Sequence, residues 1–325
     1  LTAYLSVTPG VRIITGTQRM QQRPIRILTD ALRQLGANIE YAGNEGFPPL
    51  RITGSELQGY EISLAGNVSS QYISALLMIG AVLPKGLHLH LTGCIISRPY
   101  IDLTLKLIRD FGGHAEWSSE NSITVYPGGY QDVPFTVESD WSAAAFLLVA
   151  GAVAGEVTIR NLSVLSRQAD TAVMTALIRA GASVIDEGDT ITVAHRPLQA
   201  FSFDATQCPG LFPALAALAA SAEGTSVIKG TSRLENKEGN RAESIREEYA
   251  KLGIEVDLDE EDTMKIRGGR IRGGHVHSHD DHRIAMSLAV AALNADTPVV
   301  IENPACVAKS FPDFFERLES LRTVE

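Results

Sequence analysis

The chain has 325 residues with 38 acidic and 28 basic side chains, a formal net charge of −10 and 45% hydrophobic residues. That length suits about two soluble domains, and no apolar run reaches the roughly 18 residues of a membrane span. The acidic balance, with no basic stripe, argues against nucleic acid as a partner but leaves a small anionic substrate open, because local fields outweigh net charge at contact range.

In chain order, the sequence repeats about every seventy residues. The apolar run Gly10 to Gly16 is echoed by Gly86 to Gly93, Gly155 to Asn161, Gly224 to Gly230 and, more loosely, Asp296 to Asn303, with starts 76, 69, 69 and 72 residues apart. A second echo runs in step: Leu35-Gly36, Phe111-Gly112, Ala180-Gly181 and Leu252-Gly253 each end a helical run and open a strand. A fixed period means one supersecondary unit used many times. Each unit opens with a strand and then a helix that starts near a polar residue or a proline, as at Arg23-Pro24-Ile25, Arg98-Pro99, Arg167 to Asp170, Asn240-Arg241 and Phe311-Pro312. The helix ends at a glycine suited to a left-handed cap. Two short strands follow, such as Ser183 to Ile185 and Thr190 to Val193 around Glu187-Gly188-Asp189. A second helix closes the unit. Ala143 to Ala154, Pro213 to Ala222 and Ile284 to Leu293 are apolar nearly all round, which predicts buried helices.

Gly128-Gly129 and Pro134 punctuate the chain before a helix start at Asp140. The expected domains are therefore 1–138 and 139–325. Leu1 to Val7 reads as the tail of an apolar helix, so part of a unit is expected to be missing from the N-terminus. Three scattered cysteines, Cys94, Cys208 and Cys306, fit a reduced, cytoplasmic setting.

Four strand-to-helix junctions carry charge that the repeat does not need: Arg19 to Ile25, Lys237 to Arg241, Asp280 to Met286 and Ala308 to Asp313. Helix N-termini attract anions, and Arg or Lys added there makes a phosphate or carboxylate site. The alternative for any single junction is a solvated surface charge.

These segments, with Gly66-Asn67-Val68-Ser69-Ser70-Gln71-Tyr72 and Ser97-Arg98-Pro99-Tyr100-Ile101-Asp102, resemble the EPSP synthase family, in its order and spacing and across essentially the whole chain. The resemblance implies an α/β fold: a two-domain inside-out α/β barrel of repeated β-α-β-α-β-β units. It implies a monomeric enzyme of aromatic amino-acid biosynthesis, without cofactor or metal, that joins phosphoenolpyruvate to shikimate 3-phosphate. By the same resemblance Ser69, Ser70, Ser97, Tyr100 and Lys237 hold shikimate 3-phosphate. Arg23, Gln71, Arg241, Arg283 and Lys309 hold phosphoenolpyruvate. Glu238 and Lys309 transfer protons, and His282 supports them. The chemistry asks for such groups: a positioned acid, a base and neutralised phosphates.

The chain departs from the family pattern in two places. Gly210 stands where the family has an Asp that touches the shikimate hydroxyls, and Gly239-Asn240 follows Lys237-Glu238 where Ser or Thr and then Asp are usual. The family's N-terminal Lys-Ser-x-x-x-Arg motif is absent as well. The chain as given is therefore expected to be catalytically silent. Two alternatives stand beside this reading. One is a transferase of enolpyruvyl to UDP-N-acetylglucosamine, which would use a reactive cysteine in a Gly/Arg-rich loop; no cysteine here has that setting. The other is a non-catalytic anion-binding relative.

Other features have plainer readings. His275, His277 and His279 alternate, as on a solvent-facing strand, and no metal is expected there. His88 and His90 fit a half-exposed strand, and Asp257 to Asp262 a solvated turn. Trp117 and Trp141 read as packing residues, and Cys94 as a buried thiol.

Overall fold

The seventy-residue repeat is a six-element unit, β-α-β-α-β-β, seen in a computed structural model that describes residues 1–67, 69–234 and 240–321. One full copy runs Glu61–Ala65, helix Ser70–Gly80, Leu87–Thr92, helix Arg98–Asp110, Ala115–Ser119 and Ser122–Val125. Another runs Ser202–Asp204, helix Phe212–Ala220, Gly224–Lys229, helix Arg241–Lys251, Glu255–Asp257 and Thr263–Gly268. In both, the first two strands pair in parallel, the second pairs antiparallel with the fourth, and the third takes the far edge. The other sheets are pieces of the same pattern. Gly10–Ile14, Leu50–Gly54 and Asn38–Tyr41 make an antiparallel three-stranded sheet, as do Glu156–Arg160, Thr190–Ala194 and Ser183–Asp186. Gly274–His277 and Val299–Glu302 pair in parallel.

The chain divides into two compact units, Leu1–Thr136 and Val137–Glu325. In the first, the core gathers Leu32, Leu35, Ile52, Ile73, Leu76, Leu89 and Ile123. In the second, the helices Trp141–Ala154, Phe212–Ala220 and His282–Ala292 pack on one another. All nine residues of Phe212–Ala220 are buried, so its apolar composition is that of an inner helix. Each fully buried Leu or Phe contributes roughly 1.5–3 kcal/mol.

Local signals account for the helix ends. Asp140, Asn240 and Asp281 accept from the amides of Ser142, Glu243 and Arg283 at 2.8, 3.4 and 2.9 Å, capping three helices. Gly36, Gly112, Gly181 and Gly253 follow helix ends with φ between 79° and 103°, where a Cβ would be strained. Some starts differ from expectation. The helix after Pro24 begins at Arg26, preceded by a short helix at Gln18–Gln21, and the C-terminal helix begins at Phe314 after a 3-10 helix at Pro304–Lys309. Among the described residues, no helix is long and apolar enough to cross a membrane.

Two expectations fail here. Cys94 is exposed, because it lies in the loop after Leu87–Thr92 and not within that strand. The histidine alternation ends with its strand at His277: His279 has φ 54° and folds back onto another helix.

Candidate active site

In the first unit, the expected ligands of shikimate 3-phosphate lie at two neighbouring helix starts. Ser69 caps the helix Ser70–Gly80, its Oγ accepting from the Gln71 amide at 3.3 Å. Ser97 precedes Arg98–Asp110 with left-handed backbone (φ 57°) and is buried. The loops meet directly: the Ile96 amide donates to the Gly66 carbonyl at 3.1 Å. The two helices are joined by the Ser74 and Thr104 hydroxyls, 2.7 Å apart. Ser69, Ser70, Gln71, Ser97 and Tyr100 therefore belong to one end of this sheet. Arg23 joins them through Tyr72, whose hydroxyl donates to the Pro24 carbonyl at 2.5 Å. Burial pushes the Tyr72 hydroxyl pKa up, and the nearby Arg23 guanidinium partly counters it. Arg98 stacks over Trp117 at 4.1 Å, and the Trp117 indole donates to Asp102 at 2.8 Å, which fixes the first turn of Arg98–Asp110.

In the second unit, a carboxylate to which sequence reasoning gave no role organises the site. Asp281 is buried; its Oδ2 accepts from Arg241 Nε at 2.8 Å, and its Oδ1 from the Arg283 amide. Arg241 is itself buried, so its Nε is committed within the protein. His282 lies against the same group, Nδ1 to Asp281 Oδ1 at 3.8 Å, and is buried. Lys309 ends the 3-10 helix Pro304–Lys309 and is exposed. Lys237, Glu238 and Gly239 lie outside the described residues.

A second carboxylate lies beside Gly210. Asp170 is buried, accepts a hydrogen bond from the Ser142 hydroxyl, and lies 3.7 Å from Arg283 Nη1. A Cβ on Gly210 would lie 2.2 Å from Arg283 Nη1 and 3.0 Å from Asp170 Oδ2. The starts of all three inner helices, at Ser142, Gly210 and Arg283, thus converge on Asp170. The guanidinium of Arg283 fills the space that a side chain at 210 would need. Nη1 of Arg283 is buried and has no hydrogen-bond acceptor among the described residues. In sequence, Asp170 is one acid at an ordinary helix start, and no local signal separates it from a capping residue.

Two of the three cysteines are held as thiols. Burial, with Asp170 and Asp204 nearby, pushes the Cys208 thiol up to about 12, and burial raises Cys306.

A sequence profile of EPSP synthase (3-phosphoshikimate 1-carboxyvinyltransferase) matches residues 1–318. The chain belongs to the EPSP synthase family. Among its relatives, the 3-phosphoshikimate 1-carboxyvinyltransferase of Bacteroides fragilis (strain YCH46) is 44% identical over 98% of this chain and 79% of its own length. That of Colwellia psychrerythraea is 36% identical over 98% and 75%. The structure of EPSP synthase from Acinetobacter baumannii superposes with a TM-score of 0.81 at 28% identity, covering 98% of this chain and 75% of that one. The enolpyruvyl transferase NikO from Streptomyces tendae shares the fold, with a TM-score of 0.74 at 20% identity, 98% of this chain and 74% of that one being covered. The chain spans 75–79% of the length of these EPSP synthase relatives. The mixed α/β fold shared with the EPSP synthase structures agrees with the fold class that the resemblance implied.

Proposed function

We propose that this EPSP synthase family member moves the enolpyruvyl group of phosphoenolpyruvate to the 5-hydroxyl of shikimate 3-phosphate and releases phosphate. The observation that carries the reading is Asp281, which ties the Arg241 side chain to the amide of Arg283 at a helix start. Such a start, with a guanidinium beside it, suits a phosphate or carboxylate. In this reading Arg23, Gln71, Arg241, Arg283 and Lys309 hold phosphoenolpyruvate. Ser69, Ser70, Ser97, Tyr100 and Lys237 hold shikimate 3-phosphate. Glu238 and Lys309 handle protons, with His282 supporting the turn. A proton adds to the methylene carbon, and the 5-hydroxyl oxygen attacks the neighbouring carbon and loses its own proton. The bond to phosphate then breaks, and a proton leaves the methyl carbon to restore the double bond. Neutralised phosphates and fixed orientation supply much of the rate. The protein acts as a cytoplasmic monomer without cofactor.

Two other readings make different predictions. Gly210 favours a non-catalytic anion binder, because it brings no carboxylate to the start of its helix. The burial that raises the Cys208 thiol counts against Cys208 as the reactive thiol of a transfer to UDP-N-acetylglucosamine. Phosphate release from phosphoenolpyruvate is the test, with shikimate 3-phosphate or UDP-N-acetylglucosamine as acceptor, beside calorimetry of each ligand. Turnover with shikimate 3-phosphate alone supports the proposal. Binding heat without phosphate release supports the non-catalytic reading.

A further inference from the structure

The turn that leads into Arg283 is bent in a way that needs support. After the strand Gly274–His277, His279 and Asp280 both take left-handed backbone, with φ 54° and 55°. Such backbone costs of order 1–2 kcal/mol for a residue with a Cβ, and two in succession persist only where neighbouring groups hold them.

The support comes from Glu248 on the helix Arg241–Lys251, whose side chain is fully buried. Its Oε1 accepts from His279 Nε2 at 2.6 Å, and its Oε2 from the His277 backbone amide at 2.8 Å. His277 Nδ1 in turn accepts from the His279 amide at 2.8 Å, and the two rings meet edge-on, with centroids 5.2 Å apart. Asn303 holds the next residue by donating to Asp280 Oδ1. Beyond Asp280 comes Asp281, bound to Arg241. Arg241 and Glu248 are two helical turns apart, so one face of one helix grips both ends of the turn.

The cluster could be read as a cation site, since donor atoms of Glu247, Glu248 and His279 all lie within 4.8 Å of one another. Lys251 already fills that place: its ammonium donates to both Glu248 oxygens, at 2.8 and 2.9 Å. The carboxylate is thus saturated by the protein's own groups, as a structural anchor would be.

We propose that Glu248 is a positioning residue for the phosphoenolpyruvate clamp: through His277 and His279 it holds the left-handed turn, and with it Asp281, Arg241 and Arg283. The link to phosphoenolpyruvate rests on the function proposed above; the link to the turn does not.

The test compares Glu248→Gln, His279→Ala and His279→Gly with the unaltered protein. Glycine accepts left-handed backbone freely but cannot bond Glu248, so it separates backbone strain from anchoring. Hydrogen exchange at the amides of Arg283 and Ala285, both bonded to Asp281, should quicken in all three variants while the helix Phe212–Ala220 stays protected. The KM for phosphoenolpyruvate should rise on the order of tenfold, as for a misplaced positioning group, with that for shikimate 3-phosphate unchanged. Full recovery of exchange protection in His279→Gly would overturn the proposal, and so would exchange that quickens equally in Phe212–Ala220. If the unaltered protein shows no turnover, the proposed function fails and the exchange measurement still decides the role of Glu248.

Discussion

Gly210→Ala tests whether Gly210 is there to make room for Arg283. The backbone at 210 is not left-handed, so glycine is not needed for its conformation. A methyl group would stand 2.2 Å from Arg283 Nη1, which forces that guanidinium away from Asp170. At 3.7 Å and an effective dielectric of about 20, the ion pair is worth roughly 4.5 kcal/mol, and a retreat to about 6 Å leaves roughly 3. The Arg283 side chain is 21% exposed, so screening trims the loss to about 1 kcal/mol. That cost falls on the folded protein; an anion held by Arg283 should weaken about tenfold because the guanidinium is displaced from it, as for a charge-assisted hydrogen bond of about 1.5 kcal/mol. Steady-state kinetics should show the KM for phosphoenolpyruvate up by about that factor, with kcat within about twofold. Gly210→Asp shares the clash but adds a carboxylate. If the missing acid limits the rate, kcat should rise by 10²–10⁴-fold in that variant alone, as for a general base. An unchanged KM in Gly210→Ala would refute the steric reasoning.

Asp281→Ala should be among the most destabilising single changes in the second unit. It removes the carboxylate that accepts from the buried Arg241 Nε together with a helix cap, so urea unfolding followed by circular dichroism should show a loss of about 3–5 kcal/mol; a loss under about 1 would contradict the burial of the pair. Native protein at pH 8 should yield one fast-reacting thiol, Cys94, with Cys208 titrating only after denaturation; rapid labelling of Cys208 would contradict its raised pKa. The Glu248–Lys251 pair gives a pH signature. Burial pushes the Glu248 carboxyl up, but the bonds from Lys251, the His277 amide and His279 outweigh it and hold it below 4.5. Lys251 is raised above 10.5, chiefly by its hydrogen bond to Glu248. The stabilisation is therefore complete between pH 4.5 and 10.5, is lost as pH falls through the folded carboxyl's pKa, and is lost again as pH rises through the ammonium's. Thermal melts of Glu248→Gln should fall below those of the unaltered protein at pH 7 and converge with them as the pH falls through the folded carboxyl's pKa; a constant gap at all pH values would show that the charge is irrelevant.

The repeat, the glycine helix ends and the inner helices were legible in the sequence because each depends on neighbours within about four residues. Gly36, Gly112, Gly181 and Gly253 announce helix ends through a local backbone requirement. Phe212–Ala220 announces its burial by having no polar face. The charged junctions were legible too, and the profile and relatives agree on the family they signal. What each charge does was decided by contacts between residues far apart in the chain. Arg241 reads as a ligand-facing cation, yet a carboxylate 40 positions later binds its Nε inside the protein. His279 reads as the third member of an alternating strand, but a glutamate 31 positions earlier draws it out of the sheet. Cys94 was expected to be buried by its nearness to a strand; exposure is set by what packs over a loop, which no local pattern encodes. Gly210 reads as a position without the family's acid; that the Arg283 guanidinium lies where its side chain would be is visible only once the helices are packed.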